Sequence, residues 1–352
     1  MRIVLLLFLL IGSLSASEPV STYPLWDGVE SVADYAKRVN LPPTQTLELG
    51  DGAKLELVLI PAGKFVMGAP ERERPLVGQT MIAITGGLLL FLAGASLIRA
   101  RHNRKRPQFT MRLMLLMTFV AAIGVWGGVR WKEALKHLDN FFAEHPAHAV
   151  TLTQPFYMGK YDVTQEQYRA VTGMNPSKFI GNDNPVENVL WDDAQAFCKK
   201  VTDQIKDGVR LPTEAEWEYA CRAGTTTEFF SGDLDSDLER VAWCAANSRR
   251  IAHPVGQKEP NKFGLYDMHG NVWQWCQDLW DVYYYKKSPI ENPQGLARPS
   301  LGAYRILRGG GCEDDPMYCR SAFRDGDDPA NRVGNVGFRV VVTVHAFRIL
   351  KF

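Results

Sequence analysis

The sequence predicts an α+β fold that is poor in regular secondary structure and is interrupted by an inserted transmembrane helical hairpin. Three observations support this prediction. The helical and strand-like patterns are short, Gly and Pro punctuate the chain every few residues between 222 and 340, and two uncharged apolar runs flank a basic linker. The chain has 352 residues, of which 46% are hydrophobic and 22% charged. Such a composition excludes wholesale disorder, collagen and an extended coiled coil.

The N-terminus, residues 1–17, has the pattern of a secretory signal peptide. A charged start precedes an uninterrupted apolar run at 3–11, and small residues follow it. The apolar run is too short to span a bilayer, so export is favoured over a membrane anchor or a buried strand. The exported chain would then begin with an N-terminal extension at 18–50.

Strand patterns define the first part of the main domain, at 51–77. Leu-Glu-Leu-Val-Leu-Ile at 55–60 is followed by Pro-Ala-Gly, which predicts a strand and a turn, and the next strand is expected at 64–67. A short helix is expected upstream, at 31–39, because the Leu-Pro-Pro that follows it would end it.

Residues 78–131 are predicted to form the inserted hairpin, with helices at about 80–98 and 113–129. Neither apolar run contains a charge, and about 20 apolar residues span a bilayer. A pair of buried core helices is the alternative. The linker favours the membrane hairpin, because basic residues between two apolar runs are typical of a cytoplasmic turn. Loop 99–112 would then be cytoplasmic, and the main domain would be anchored in the membrane outside the cytoplasm, in the periplasm or at the cell surface.

Charge divides the chain in the same way. The segment 78–131 contains seven basic residues and no acidic one. Subtracting these seven from the 40 basic residues leaves 33 against 39 acidic ones, a net charge of −6, so the net charge of +1 is a sum over unlike parts. This balance gives no reason to expect nucleic-acid binding.

The remainder of the main domain is predicted at 145–345. Thr164 and Gln167 form a capping box, which marks the start of a helix. The helix expected at 191–205 has apolar residues at helical spacing. The helix expected at 213–221 begins at a Pro-Thr pair and is followed by a Gly. The expected strands are 149–152 and 156–158, and the expected helices are 164–172, 191–205 and 213–221.

Seven motifs in order carry a resemblance to one family. They lie at 57–68, 163–168 and 184–188, at 210–220 (Arg-Leu-Pro-Thr-Glu-Ala-Glu-Trp-Glu-Tyr-Ala), at 261–275, at 308–310 (Arg-Gly-Gly) and at 337–339 (Gly-Phe-Arg). Together they resemble the sulfatase-modifying factor, or formylglycine-generating enzyme, family. The resemblance implies a C-type-lectin-like fold with long loops, which agrees with the prediction made from the patterns alone.

The resemblance also implies a chemistry and raises a conflict with it. The family's founding activity oxidises a cysteine of unfolded sulfatases to formylglycine, using oxygen and a copper ion held by two cysteine thiolates. In active members that pair follows Arg-Gly-Gly with four residues between the cysteines. Here six residues separate Cys312 from Cys319, the family's first catalytic position matches Asp314, and its serine matches Gly311. The catalytic pattern is therefore broken.

Cysteine pairing is expected to be structural, because an even number of cysteines in an exported protein favours disulfides. The resemblance implies a bridge between Cys221 and Cys319. Cys244 and Cys312 both stand where relatives usually have other residues, so they are expected to pair with each other. A redox or metal role for the pair Cys312 and Cys319 stays open as the alternative.

A calcium site is implied by the resemblance at Asp267, Gly270, Val272 and Gln274. Side-chain and backbone oxygens are the ligands that calcium requires. The family's usual acid at the last position is Gln274 here, which weakens the attraction for a divalent ion. The alternative is that these residues form a tryptophan-rich turn in the core.

Two functions follow. The preferred one is a membrane-tethered, non-catalytic binding or structural module, whose variable surface would be formed by 311–318 and 324–336 and whose ligand, a protein or a small molecule, is unknown. The alternative is a copper-dependent oxidase that acts on exported sulfatases through Cys312 and Cys319.

Overall fold

The computed structural model describes residues 23–70, 143–206, 208–298 and 303–344. Short helices and strands are joined by long loops, as predicted. The helices are α1 (Val32–Val39), α2 (Gln165–Thr172), α3 (Trp191–Ile205), α4 (Glu214–Arg222) and α5 (Asp235–Val241). The strands are β1 (Thr44–Gly50), β2 (Ala53–Ile60), β3 (Gly63–Met67), β4 (His148–Leu152), β5 (Phe156–Gly159), β6 (Val209–Arg210), β7 (Trp273–Leu279), β8 (Arg305–Arg308), β9 (Asp325–Asp327), β10 (Val336–Gly337) and β11 (Val341–Thr343). Two 3-10 turns lie at Tyr284–Lys286 and Pro316–Cys319.

A five-stranded antiparallel sheet, in the order β1-β2-β5-β11-β6, divides the core. Successive side chains of a strand point to opposite faces. In β2, Leu57 and Leu59 therefore join one apolar cluster, whereas Val58 and Ile60 join another. Strands β5 and β11 near its centre are buried on both faces, whereas β1 at the edge leaves one face exposed.

The two parts of the main domain form one fold. Strand β2 pairs with β5, which comes from the far side of the insert, and β3 pairs with β4 so that Met67 faces His148. The backbone N–H of Ala69 donates to the Glu144 carbonyl at 3.0 Å. Residues 70 and 143, which flank the insert, are thus held close together. Strand β1, which lies in the expected N-terminal extension, pairs with β2.

The helices begin where their caps predict. Thr164 accepts from the N–H of Gln167, whose side chain accepts from the N–H of Thr164, so the predicted capping box is confirmed. Thr213 forms a second capping box with Glu216. Helix α1 ends at Asn40, which has a φ of 54°. Helix α5 was not predicted, because its seven residues are too few to show a period.

The fold class that included a transmembrane hairpin is corrected. The predicted membrane helices, 80–98 and 113–129, lie outside the described residues, as does the predicted signal peptide at 1–17. Within the described ranges no helix is long and apolar enough to cross a membrane. The longest described helix, α3, has 15 residues, whereas about 20 are needed. The fold supported here is the α+β fold without the hairpin.

A four-stranded sheet, in the order β10-β7-β8-β9, brings the motif segments together. Strand β10 is parallel to β7, and the other pairs are antiparallel. Strand β8 ends in Arg-Gly-Gly at 308–310 beside Gln274 of β7. The loops that follow β8 therefore begin next to the tryptophan-rich strand β7.

Candidate functional site

Asp314 lies at the point where the loop after β8 returns to β7. The indole Nε1–H of Trp273 donates to Asp314 Oδ2 at 2.7 Å, and the backbone N–H of Gly311 donates to the same oxygen at 3.0 Å. Asn335 Nδ2 lies 3.4 Å from it. Burial raises the pKa of Asp314, and the bonds from Trp273 and Gly311 oppose that rise. The side chain that matches the family's first catalytic cysteine is thus a carboxyl group held in place.

The turn after β8 depends on two glycines. Gly309 and Gly310 have φ values of 93° and 71°, which side chains with a Cβ rarely adopt. A Cβ at position 310 would lie 2.6 Å from Cys319 Sγ. The Arg-Gly-Gly turn therefore lies directly against the 3-10 turn at the end of the loop, and it brings Gly311 and Asp314 to Trp273.

The predicted disulfides are absent from the structure. All six cysteines are free and buried. The expected bridges, Cys221 to Cys319 and Cys244 to Cys312, stay predictions. The partition of the core does not favour them, because Cys221, Cys319 and Cys312 each belong to a different apolar cluster.

The alternative copper pair is also not assembled. Cys312 packs with Ala252 and Val272, whereas Cys319 packs with Cys244 and Phe229. Burial raises the pKa of Cys312 to about 12 and that of Cys319 well above its usual value. Because the thiolate is the form that binds copper, two separate neutral thiols make a poor site for it.

Cys221 and His269 approach each other without forming a reactive couple. Cys221 Sγ lies 3.9 and 3.8 Å from the two ring nitrogens of His269. Nδ1 donates to the Cys319 carbonyl at 2.7 Å, and Nε2 accepts from the Phe230 N–H at 3.1 Å. Burial lowers the pKa of His269 to about 4 and raises that of Cys221 to about 12. The imidazole is neutral and fully bonded, so it cannot serve as the base for this thiol.

The implied calcium site is largely occupied by contacts within the protein. Gln274 Nε2 donates to the Asp267 carbonyl at 2.9 Å. Gln274 Oε1 accepts from Trp217 Nε1 at 2.7 Å and from Arg339 Nε at 2.8 Å. A calcium ion needs oxygen atoms that are free to coordinate it, and the side chain of Gln274 has none left.

The remaining two positions serve packing. The N–H of Gly270 donates to the Gly309 carbonyl at 2.8 Å, and Val272 lies in the apolar cluster of Cys312. In the described ranges no group of three or more His, Cys, Asp or Glu residues could hold a metal ion. The contacts of Gly270, Val272 and Gln274 favour the tryptophan-rich turn, whereas Asp267 Oδ1 is buried without a hydrogen-bond partner among the described residues. The calcium site stays a prediction.

Asp162 is a buried carboxyl group that the sequence did not reveal. It is 1% exposed, and neither of its oxygens accepts a hydrogen bond from a described residue. Arg339 Nη2 lies 3.3 Å from its Oδ1. Burial raises the pKa of Asp162 to about 8, with Arg339 opposing and Asp267 adding to the rise. The Gly-Phe-Arg motif was a signal, but its partner could not be identified from the sequence.

A buried ionic cluster, formed by Glu214, Glu218, Arg308 and Arg324, supports the turn from below. All four side chains are at most 1% exposed. Arg324 binds Glu214 through two bonds of 2.5 and 2.7 Å, and Arg308 donates to Glu218. Burial would raise the pKa of Glu218, but the guanidinium groups of Arg222 and Arg308 hold it below its usual range.

The arginines in and beside the surface loop 324–336 form ion pairs with the body of the domain. Arg320 makes two bonds to Glu144, at 2.8 and 2.7 Å. Arg324 belongs to the buried cluster, and Arg332 lies 2.8 Å from Asp193. The charges of these arginines are therefore partly neutralised by the body of the domain.

Comparisons with known proteins agree with this architecture. A model of the sulfatase-modifying factor enzyme 1-like domain matches residues 122–344. The formylglycine-generating enzyme of Mus musculus is 31% identical over 305 residues, which cover 82% of this chain and 75% of that protein. The enzyme of the same name from Streptomyces coelicolor is 37% identical over 179 residues, covering 46% of this chain and 54% of that protein. The chaperone protein LppX of Paenibacillus barcinonensis is 33% identical over 243 residues, covering 54% and 81%.

Solved structures share the fold. The Treponema denticola variable protein 1 has 24% sequence identity and a TM-score of 0.61, over 86% of this chain and 99% of that one. PvdO from Pseudomonas aeruginosa has 23% identity and a TM-score of 0.59 over the same shares. The family model spans more than half of this chain. The protein therefore belongs to the sulfatase-modifying factor enzyme 1-like domain family.

Proposed function

We propose that this protein is a non-catalytic binding module built on the sulfatase-modifying factor fold. One observation carries the proposal: Cys312 and Cys319, the candidate copper ligands, lie in separate apolar clusters. At the position that the resemblance assigns to the first catalytic cysteine stands Asp314. A carboxylate is a hard oxygen ligand and is poorly suited to Cu(I), which prefers soft sulfur.

The binding surface is proposed to be the outward face of the loops 311–318 and 324–336. Asp314 is fixed by Trp273 Nε1, and Glu313 and Asp315 flank it with partly or fully exposed side chains. The two loops contain six carboxyl groups and two arginines, and both arginines, Arg324 and Arg332, form ion pairs with the body. The exposed Lys178 lies 4.0 Å from Glu313. Because carboxyl groups outnumber the basic ones, we propose a ligand that presents positive charge.

The relatives support two different classes of function. The chaperone name of LppX supports a module that binds another protein. The name of the Mus musculus and Streptomyces coelicolor relatives supports the alternative, a formylglycine-generating oxidase. The separation of the thiols favours the first class over the second.

Turnover separates the two. The full chain, supplied with Cu(I) and oxygen, is incubated with a peptide that carries a sulfatase cysteine motif, and formylglycine is measured by mass spectrometry. We expect no formylglycine from the protein or from Cys312→Ser. Formylglycine formation that disappears in Cys312→Ser, but not in the matched buried-thiol control Cys276→Ser, would establish the oxidase.

Binding is tested with peptides of matched length, rich in Arg and Lys or in Asp and Glu, by fluorescence anisotropy at two salt concentrations. We expect the cationic peptide alone to bind, and the double variant Glu313→Lys, Asp315→Lys to lose that binding. The control Lys199→Glu, at an exposed position of helix α3, should retain it. Equal affinity for both peptides would remove the charge argument.

A further inference from the structure

A ladder of backbone contacts brings the segment after α5 beside the Arg-Gly-Gly turn. The N–H of Asn271 donates to the Trp243 carbonyl at 2.7 Å. The adjacent N–H of Gly270 donates to the Gly309 carbonyl at 2.8 Å. A Cβ at position 270 would collide with the Trp243 backbone. This close approach therefore requires glycine at position 270. Residues far apart in the sequence are thus stacked in register.

The ladder places two thiols in one small apolar cluster. Cys244 follows Trp243, and Cys319 Sγ lies beneath Gly310. Both cysteines are 0% exposed and share their cluster with Phe229, Leu238, Val241 and Ala242. Burial, and next the charge of Cys244, raise the pKa of Cys319. The two thiols therefore lie in one buried cluster of six residues.

The other four thiols have different surroundings. Cys198 lies in the cluster that α3 joins, and Cys221 and Cys276 lie in the cluster that contains α4. Cys221 Sγ is 3.8 Å from Ser321 Oγ and contacts the His269 ring. Cys312 packs with Ala252 and Val272. Among the other five cysteines, Cys244 is the one that shares an apolar cluster with Cys319.

We propose that Cys244 and Cys319 form a disulfide when the chain folds in an oxidising compartment. The bond would join the segment after α5 to the 3-10 turn at the base of loop 311–318. It would fix one end of the loop that carries Asp314. The inference does not rest on the proposed binding function, because it concerns only which thiols pair.

The oxidant is a donor disulfide, either oxidised glutathione or a protein thiol–disulfide oxidoreductase. One cysteine thiolate attacks the donor S–S bond and releases one donor thiolate, and the second cysteine thiolate then displaces the other. Two protons leave the protein thiols, the cysteine pair is oxidised, and the donor is reduced to two thiols. Because both sulfurs are buried in the folded chain, the exchange takes place before the cluster closes.

The test maps the cysteines of the full chain after refolding in a glutathione redox buffer. Free thiols are alkylated, and the protein is digested without reduction. No Lys or Arg lies between Cys312 and Cys319, so trypsin must be combined with a protease that cleaves before Asp314. We expect one cross-linked peptide that contains Cys244 and Cys319, with the other cysteines alkylated.

Two variants sharpen the result. In Cys244→Ser the cross-link should vanish and Cys319 should be alkylated, whereas in the control Cys276→Ser the cross-link should persist. A Cys221–Cys319 or Cys244–Cys312 cross-link in the unsubstituted chain would overturn the proposal, and so would alkylation of all six cysteines. The map of the unsubstituted chain decides the question even if Cys244→Ser fails to fold.

Discussion

The two sides of the Arg-Gly-Gly turn differ in how their polar groups are held. Below the turn, on the side of the core, Glu218 and Arg308 are fully buried and belong to one ionic cluster. Neither side chain is exposed to a ligand. Above it, Asp314 is held by hydrogen bonds in a partly buried loop, and Asp315 beside it is exposed. Buried ion pairs therefore support the framework of the fold, whereas the loop that carries Asp314 is held by a few hydrogen bonds near the surface.

The largest effect is expected below the turn. Glu218→Ala would leave Arg222 and Arg308 with an uncompensated buried charge, because both donate to Glu218. Breaking a buried pair in this way costs about 3–5 kcal/mol. Urea unfolding followed by tryptophan fluorescence measures the loss of free energy of unfolding.

The matched control is the exposed pair Lys199–Asp203, which has the same spacing on a helix as the pair Glu218–Arg222. Lys199→Ala should leave the urea midpoint almost unchanged, since exposed pairs contribute little. Similar losses for the two variants would mean that the ionic cluster does not support the fold.

The next effect depends on pH and concerns Asp162. Its pKa in the folded protein, about 8, lies above its ordinary value of 3.8, so the stability that this group contributes is fully present below pH 3.8 and is lost as pH rises towards 8. Asp162→Asn mimics the protonated carboxyl and removes that loss. The stability of the variant relative to the unsubstituted protein should rise with pH between these limits, by up to about 1.4 kcal/mol per pH unit. Parallel pH profiles would contradict the raised pKa.

A smaller effect is expected above the turn. Asp314→Ala leaves the Trp273 indole N–H and the Gly311 N–H without their acceptor. The site is partly open to water, so the expected loss of stability is about 1 kcal/mol. Asp315→Ala, in the same loop but exposed, is the control and should have less effect. If Asp314→Ala cost as much as Glu218→Ala, the distinction between framework and surface would fail.

Calcium should have no effect. The side-chain oxygen of Gln274 is taken by Trp217 and Arg339, so the melting temperature should be the same in millimolar calcium and in EDTA. Gln274→Glu is the positive control, because it provides a carboxylate at this position, and calcium should stabilise it. A melting temperature of the unsubstituted protein that rises by several degrees in calcium would restore the calcium site.

Local features of the fold could be predicted from the sequence, and long-range ones could not. The capping box of Thr164 and the period of helix α3 depend on neighbouring residues, so the pattern contains them. The pairing of Asp162 with Arg339 joins residues from opposite ends of the domain. Nothing in the sequence around Asp162 shows that its carboxyl would be buried without a hydrogen-bond donor.

The cysteines show the same limit at the candidate site. The spacing of Cys312 and Cys319 predicts a broken catalytic pair, and this stays a prediction; in the structure the two thiols lie in separate apolar clusters. The disulfide pairing could not be derived from the sequence, because the even count of cysteines does not reveal which apolar cluster each thiol enters. Cys244 and Cys319 come close together because of the backbone hydrogen bonds at Gly270 and Asn271. These bonds are a feature of the tertiary structure, so the sequence pattern does not show them.

The central claim, that the thiols of this chain do not form the family's copper site, is tested most directly by Cu(I) competition titration against a chromophoric chelator. We predict that the folded protein takes no Cu(I) from the chelator, and that Cys312→Ser behaves identically. Retention of one equivalent of Cu(I) through desalting, lost in Cys312→Ser and kept in Cys276→Ser, would contradict the account.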